Sequence, residues 1–287
     1  MWHRPTCWLA ITRDTTDAQM FFRSLIPLFL LCSLFSCQER KDCRPNIVLI
    51  LADDLGWNQL GCYGGPYRTP NIDSLAAGGM KFTQAYSAAA VCSPTRAAVM
   101  TGKYPARLHL TDFIRGGSFP DSLLAQPKWQ KFLPLDELTL AEVFREHGYR
   151  TALFGKWHLS REKHPPGSLP YNPGKQGFDE WLITYKPVAG TTDPGHDPHN
   201  VDSITRRSVT FMEDHMNRPF FLVVAHNAVH DPLMESNRRI SEFEEHYPED
   251  RYRVEPRLGA MVTRLDESTG VLMSKLEELG LSGHTLI

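Results

Sequence analysis

Residues 46–52 (NIVLILA) form an unbroken aliphatic and β-branched run, the pattern of a parallel strand buried on both faces. Residues 220–225 (FFLVVA) read the same way, residues 149–154 predict a third strand, and residues 81–86 (KFTQAY) a fourth. Between the strands the period becomes helical. Residues 71–77 predict a short helix closed by Gly78 and Gly79, and Thr139 with Glu142 forms a capping box for a helix carrying Leu140, Val143 and Phe144 that Gly148 stops. Pro256 opens a long helix with the apolar stripe Leu258, Met261, Val262, Leu265, Leu272, Leu276 and Leu279, ended by Gly280. Strands alternating with helices predict an α/β fold with a mostly parallel central sheet and helices on both faces. Residues 284–287 read as the opening of one more buried strand, and the Pro-, Gly-, Asp- and His-rich residues 165–174 and 189–200 as surface loops.

The N-terminus follows a different pattern. Residues 25–36 (LIPLFLLCSLFS), preceded by Arg23, are a signal-peptide pattern, too short for a stable membrane span and interrupted by Pro27. A buried helix over residues 21–36 is the competing reading. The run ends in Leu34-Phe35-Ser36-Cys37, similar to a bacterial lipobox with Phe35 as an imperfect fit, which makes Cys37 a candidate lipid anchor. Met20 stands where a compact leader of that kind would start, so residues 1–19 read as an over-extended start. The chain is therefore expected to comprise a leader and linker over 1–43 and a catalytic domain over 44–287, and to be exported to the periplasm or cell surface.

Composition narrows the function. With 41% hydrophobic and 22% charged residues in 287, the chain is ordinary globular protein, and a net charge of -2 with mixed signs gives no reason to expect nucleic acid as partner. Cys37, Cys43, Cys62 and Cys92 show neither a C-x-x-C pair nor zinc spacing, so neither a disulfide framework nor a zinc site is indicated.

The chemistry-bearing residues sit at strand ends. Asp53 and Asp54 follow the first strand, where open α/β sheets place their ligands, and paired carboxylates suit a hard cation. Residues 92–103 (CSPTRAAVMTGK) put Cys92 ahead of Pro94, a residue suited to a first helical turn, so Cys92 is expected at a positive helix N-terminus that favours an anion. Gly155-Lys156-Trp157-His158 follows the strand ending at Phe154, and His226 to Pro232 follows the strand over 220–225. Singly, each has a bland reading: a buried cysteine, strand-end carboxylates, a solvated lysine, a hydrogen-bonded histidine.

Together these residues resemble the type I, formylglycine-dependent sulfatases of the alkaline phosphatase superfamily. Cys92-Ser93-Pro94-Thr95-Arg96 matches C-x-P-x-R with its downstream T-G-K, and the Asp pair, the Thr69-Pro70-Asn71-Ile72-Asp73 run, G-K-W-H and the histidine before an x-Pro pair stand in family order. The resemblance implies that a formylglycine-generating enzyme oxidises Cys92 to an aldehyde. One hydroxyl of its hydrate attacks sulfur, and loss of a proton from the other reforms the aldehyde and expels sulfate. It also implies that Asp53, Asp54 and Cys92 ligate calcium, with magnesium as the alternative. Arg96 steadies the formylglycine, Lys156 binds sulfate oxygens, His230 protonates the leaving oxygen and His158 assists the second hydroxyl. His226 is left between substrate contact and a structural role. The implied substrate is a sulfated carbohydrate or an aryl sulfate. Alternatives are a phosphonate or phosphate ester hydrolase using the same motif, and a surface protein that binds sulfated glycans without cutting them. The family continues into an Asp-Asn strand, a further lysine and a C-terminal subdomain, so the chain is expected to be truncated, lacking its last strands, and inactive or nearly so.

Overall fold

In the computed structural model, which describes residues 44–114, 123–124, 127–160, 170–188, 195–246 and 254–287, three of the strands expected from the sequence form. They are β1 (Asn46–Leu51), β2 (Arg150–Gly155) and β4 (Phe220–Ala225), with β3 (Glu180–Ile183) and β5 (Thr285–Leu286) at the flanks. All pairings are parallel, in the order β3-β2-β4-β1-β5. The leader features, Cys37 among them, lie outside the described residues.

Side-chain alternation along β4 shows why the runs are continuous. Phe221, Val223 and Ala225 pack on one face against Ala97 and Met100 of α2 (Cys92–Thr101) and Ala141 of α4 (Leu140–Glu146). Phe220, Leu222 and Val224 pack on the other against Ile204, Phe211 and Met212 of α5 (Val201–Asp214) and Leu272 and Leu276 of α7 (Pro256–Glu278). With apolar cover on both faces, neither register position of β4 tolerates a polar side chain, and each large side chain buried contributes about 1.5–3 kcal/mol. A third cluster joins α7 to α6 (Asn237–His246) and to the loop after β4, through Met261, Leu265, Phe243, Ala228 and Val229. The shorter α1 (Pro70–Gly78) and α3 (Pro105–Leu108) flank α2 in the chain.

Two expectations change. Residues 81–86 are not a strand: no sheet neighbour pairs with them among the described residues, and a strand exists only through its ladder. The segment is instead tied back by Tyr63 Oη donating to the Phe82 carbonyl at 2.8 Å and Lys81 Nζ to the Cys62 carbonyl at 2.8 Å. Residues 284–287 open on a 3-10 turn and give a two-residue strand at the sheet edge rather than a buried one, with Leu286 64% exposed. No helix among the described residues is long and apolar enough to cross a membrane.

The register fixes where chemistry sits. Leu51 pairs with Ala225, and Ala225 with Gly155, so β1, β4 and β2 end level and side by side. Their following loops are laced together: His226 N donates to the Leu51 carbonyl at 2.9 Å, Asp53 N to the Ala228 carbonyl at 2.9 Å, Val229 N to the Asp53 carbonyl at 2.7 Å and Lys156 N to the Ala225 carbonyl at 2.7 Å. The sheet thus extends by backbone hydrogen bonds into the loops that carry the polar residues.

Candidate active site

Asp53, only 4% exposed, is held by two cations. Arg96 Nη2 lies 3.1 Å from its Oδ1, and Lys156 Nζ donates to its Oδ2. Burial by itself raises the Asp53 pKa, but the Arg96 and Lys156 charges and their hydrogen bonds outweigh it, so the carboxyl stays ionised below its ordinary value. Arg96 uses its other terminal nitrogen, Nη1, on the Lys156 carbonyl at 2.8 Å. One guanidinium therefore joins α2 to the ends of β1 and β2.

Cys92 opens α2, whose N-terminal cap, Val91, supplies no side-chain bond to the helix's free N–H groups. Its Sγ lies 3.1 Å from His158 Nδ1, while His158 Nε2 lies 3.0 Å from the Ile114 carbonyl oxygen. A carbonyl only accepts, so Nε2 carries the ring proton and Nδ1 presents its lone pair to residue 92. Desolvation first, and the nearby Lys156 charge second, lower the His158 pKa to about 4, which keeps the imidazole neutral, with its Nδ1 lone pair unprotonated, at neutral pH. Ile114 is fixed in turn, its N–H donating to Ser93 Oγ at 3.0 Å.

Backbone shape serves the same centre. Asp54 and His158 occupy the left-handed region at φ 61° and 54°, uncommon for residues with a Cβ and a mark of imposed geometry. Gly155 has φ 117°, and a Cβ there would sit 1.8 Å from the Ala225 carbonyl oxygen, so only glycine lets β2 turn into Lys156 against β4. His230 Nε2 lies 3.5 Å from Asp54 Oδ2. Cys92, Asp53, Asp54, Arg96, Lys156, His158 and His230 all stand at this end of the sheet, linked by direct contacts of their side chains or, between neighbours in sequence, of one loop.

The metal set is not complete in the same sense. Both Asp53 oxygens are engaged by cations, Asp54 is 53% exposed, and no three His, Cys, Asp or Glu side chains converge to hold an ion among the described residues. The expected set of Asp53, Asp54 and Cys92 is thus not gathered around one point. Calcium takes about six to eight oxygens, so these residues alone do not make its site.

Other residues lie where no motif pointed. His226 is fully buried, its Nε2 3.2 Å from Ser268 Oγ, which settles it as structural. Lys186 Nζ reaches His230 Nδ1 at 3.0 Å. Arg264, with a side chain 2% exposed, donates to Glu235 at 2.7 Å and Asp202 at 2.6 Å, clamping the far end of the His230 loop to α7 and α5. In the sequence Arg264 stands two residues from Asp266 and three from Glu267, and nothing there singled it out.

A parallel α/β sheet thus gathers at its strand ends a helix-N-terminal cysteine, a paired imidazole and a carboxylate bridged by arginine and lysine. The sulfatase family model matches residues 45–287, and the chain belongs to that family. It is 35% identical to arylsulfatase A of Homo sapiens over 280 residues, 85% of this chain and 50% of that protein. To N-acetylgalactosamine-6-sulfatase of Mus musculus it is 32% identical over 273 residues, 85% of this chain and 49% of that protein. A crystal structure of Ps i-CgsB in complex with k-i-k-neocarrahexaose superposes with TM-score 0.66 at 27% identity, covering 84% of this chain and 57% of that one. The chain spans about half the length of the curated relatives it matches. The sheet and its helices are those of the alkaline phosphatase and sulfatase architecture that the motifs implied.

Proposed function

We propose that this chain carries the nucleophile-bearing part of a sulfuric ester hydrolase acting on sulfated carbohydrates or aryl sulfates. The observation that carries the reading is the direct contact between residue 92 and a neutral His158 beside the Asp53–Arg96–Lys156 cluster. Members of the family use formylglycine and a divalent metal. Cys92, half-buried at a helix start, is the residue we assign to that modification by a formylglycine-generating enzyme, its sulfur standing where the reactive hydroxyls would be. When present, the formylglycine hydrate supplies a nucleophilic hydroxyl and a second hydroxyl that lets sulfate depart.

The remaining roles belong to this chain's own side chains. Arg96 holds the strand-end loop against α2, and Lys156 offers an ammonium group to sulfate oxygens. His158 accepts a proton at Nδ1 from residue 92, and His230 gives the proton at Nε2 to the leaving oxygen. Asp53 and Asp54, with residue 92, are the groups we assign to the family's cation, Ca2+ ahead of Mg2+, which would help hold and polarise the sulfate. The leader pattern supports export to the periplasm or cell surface, with Cys37 as a lipid anchor.

The test uses the chain coexpressed with a formylglycine-generating enzyme. Mass spectrometry of the Cys92 peptide should show a loss of about 18 Da as thiol becomes aldehyde. Paired sulfate and phosphate esters of one aryl alcohol then separate the reactions. An unmodified thiol, or faster phosphate turnover, sinks the reading.

A further inference from the structure

His230 meets a cation that no motif announced. Lys186, three residues beyond β3, places Nζ 3.0 Å from His230 Nδ1 and 2.7 Å from the Asp231 carbonyl oxygen. At the other end of the ring, Nε2 lies 3.5 Å from Asp54 Oδ2. An ammonium group has only donors and an ionised carboxylate only acceptors, so the pair reads the ring in one sense: lone pair at Nδ1, proton at Nε2.

The loop alone favours the opposite sense. The Asp231 carbonyl oxygen lies 2.6 Å from Nδ1, close enough to draw the ring proton there and leave Nε2 bare. Lys186 reverses that bias in two ways, by donating to the competing carbonyl and by offering Nδ1 a donor of its own. Asp54 acts at Nε2 and reinforces the same choice.

We propose that Lys186 is a positioning residue that holds His230 as the Nε2–H tautomer, with that proton turned toward the site. The inference rests on reading His230 as the group that protonates the leaving oxygen: as the Nε2 proton passes to that oxygen, Nδ1 takes one from the Lys186 ammonium, so the ring ends neutral and not as an imidazolate.

The test is nitrogen NMR of the full chain labelled with 15N-histidine, the His230 signals being identified by their loss in His230→Gln. In the parent chain His230 should show a protonated Nε2 and an unprotonated Nδ1. Lys186→Met should bring the two nitrogens toward a common averaged shift, Lys186→Arg should restore their separation, and His199 and His226 should not move. Three results would each overturn the proposal: a protonated Nδ1 in the parent chain, unchanged His230 signals in Lys186→Met, or equal displacement of the buried histidines. The readout needs no turnover. An unmodified thiol at residue 92 or faster phosphate than sulfate turnover therefore counts against the sulfatase reading and leaves the tautomer result standing, and the reverse holds equally.

Discussion

Asp53 is the carboxylate on which the site's electrostatics turn, and Arg96 is the partner whose loss should be felt most. Removing it leaves Asp53 buried with one cation and the Lys156 carbonyl without its donor. Breaking one arm of a buried, hydrogen-bonded charge pair costs about 3 kcal/mol, so Arg96→Ala should lower unfolding stability by that order in urea titrations, while Arg96→Lys, with no fork to span two acceptors, should lose roughly half as much. A loss under about 0.5 kcal/mol would mean that the bridge is not formed in solution. His226 gives the pH counterpart. Desolvation lowers its folded pKa to about 4 from the usual 6.5, and its Nδ1 has no partner, so the folded state resists a proton that the unfolded chain accepts. The unfolded state thus binds more protons between these two values, and stability should be flat above pH 6.5 and fall from there toward pH 4. The full drop from this one residue is about 3 kcal/mol, and His226→Gln, which can still meet Ser268, should flatten the curve. An unchanged slope in that variant would place the titration elsewhere. At this scale the sequence disclosed the residues with a fixed motif context, Cys92 to Arg96 above all. It was silent on Lys186, Ser93 and Ile114, whose partners lie 44, 21 and 44 residues away in the chain and meet them only through the fold.

Among the elements, α1 is a helix whose own N-cap does not cap it. The Thr69 hydroxyl turns instead to Asp73 and to the Gly61 N–H, and the free donors at the helix start are satisfied by Asp266 of α7. Its Oδ1 accepts from Ile72 N at 2.8 Å, and its Oδ2 from Asn71 N at 3.2 Å and Asn71 Nδ2 at 2.7 Å. A buried carboxylate at a helix N-terminus combines hydrogen bonding with the favourable end of the dipole, so Asp266→Ala should cost about 2–3 kcal/mol and Asp266→Asn about 1. Differential scanning calorimetry of the two variants checks the order; equal melting temperatures would deny the cap. The strands most legible beforehand were β1 and β4, since burial on both faces writes itself as continuous apolar sequence, while β2 has only Ala152, Leu153 and Phe154 of that kind. β3, four residues with Trp181 and Leu182 partly exposed, carries no such run. α5 was missed because its buried face mixes Thr205 and Ser208, which bond back to helix carbonyls, with Ile204, Phe211 and Met212. Residues 81–86 failed for the converse reason: alternation describes a strand's side chains but says nothing of whether a neighbour exists to pair with it.

Across the whole molecule, the candidate site behaves as a continuation of the sheet, whereas its sequence has the look of loops. The aliphatic runs announced the three central strands and the motifs announced the polar residues, but the level ending of β1, β4 and β2 came only from register, which no single strand encodes. That register has a measurable consequence. The amides of Lys156 and His226 donate to the last carbonyls of the adjacent strands, those of Asp53 and Val229 donate to carbonyls of the facing loop, and the side chains of His226 and Val229 are buried. Opening them requires separating β1, β4 and β2, the most buried part of the fold, so their exchange should approach the rate set by global unfolding. Residues 81–86 stand at the other extreme, outside the ladder, with Phe82 63% and Tyr86 83% exposed. Native-state hydrogen exchange should therefore separate the two groups by at least about 100-fold in protection, although both are irregular backbone by sequence. The difference also bears on chemistry, because a site laced to its sheet keeps residue 92, His158 and His230 at fixed separations without a bound ligand to organise them. Comparable exchange in the two groups would mean that the strand-end loops open independently of the sheet. The preorganisation on which the proposed hydrolysis depends would then have to come from a ligand.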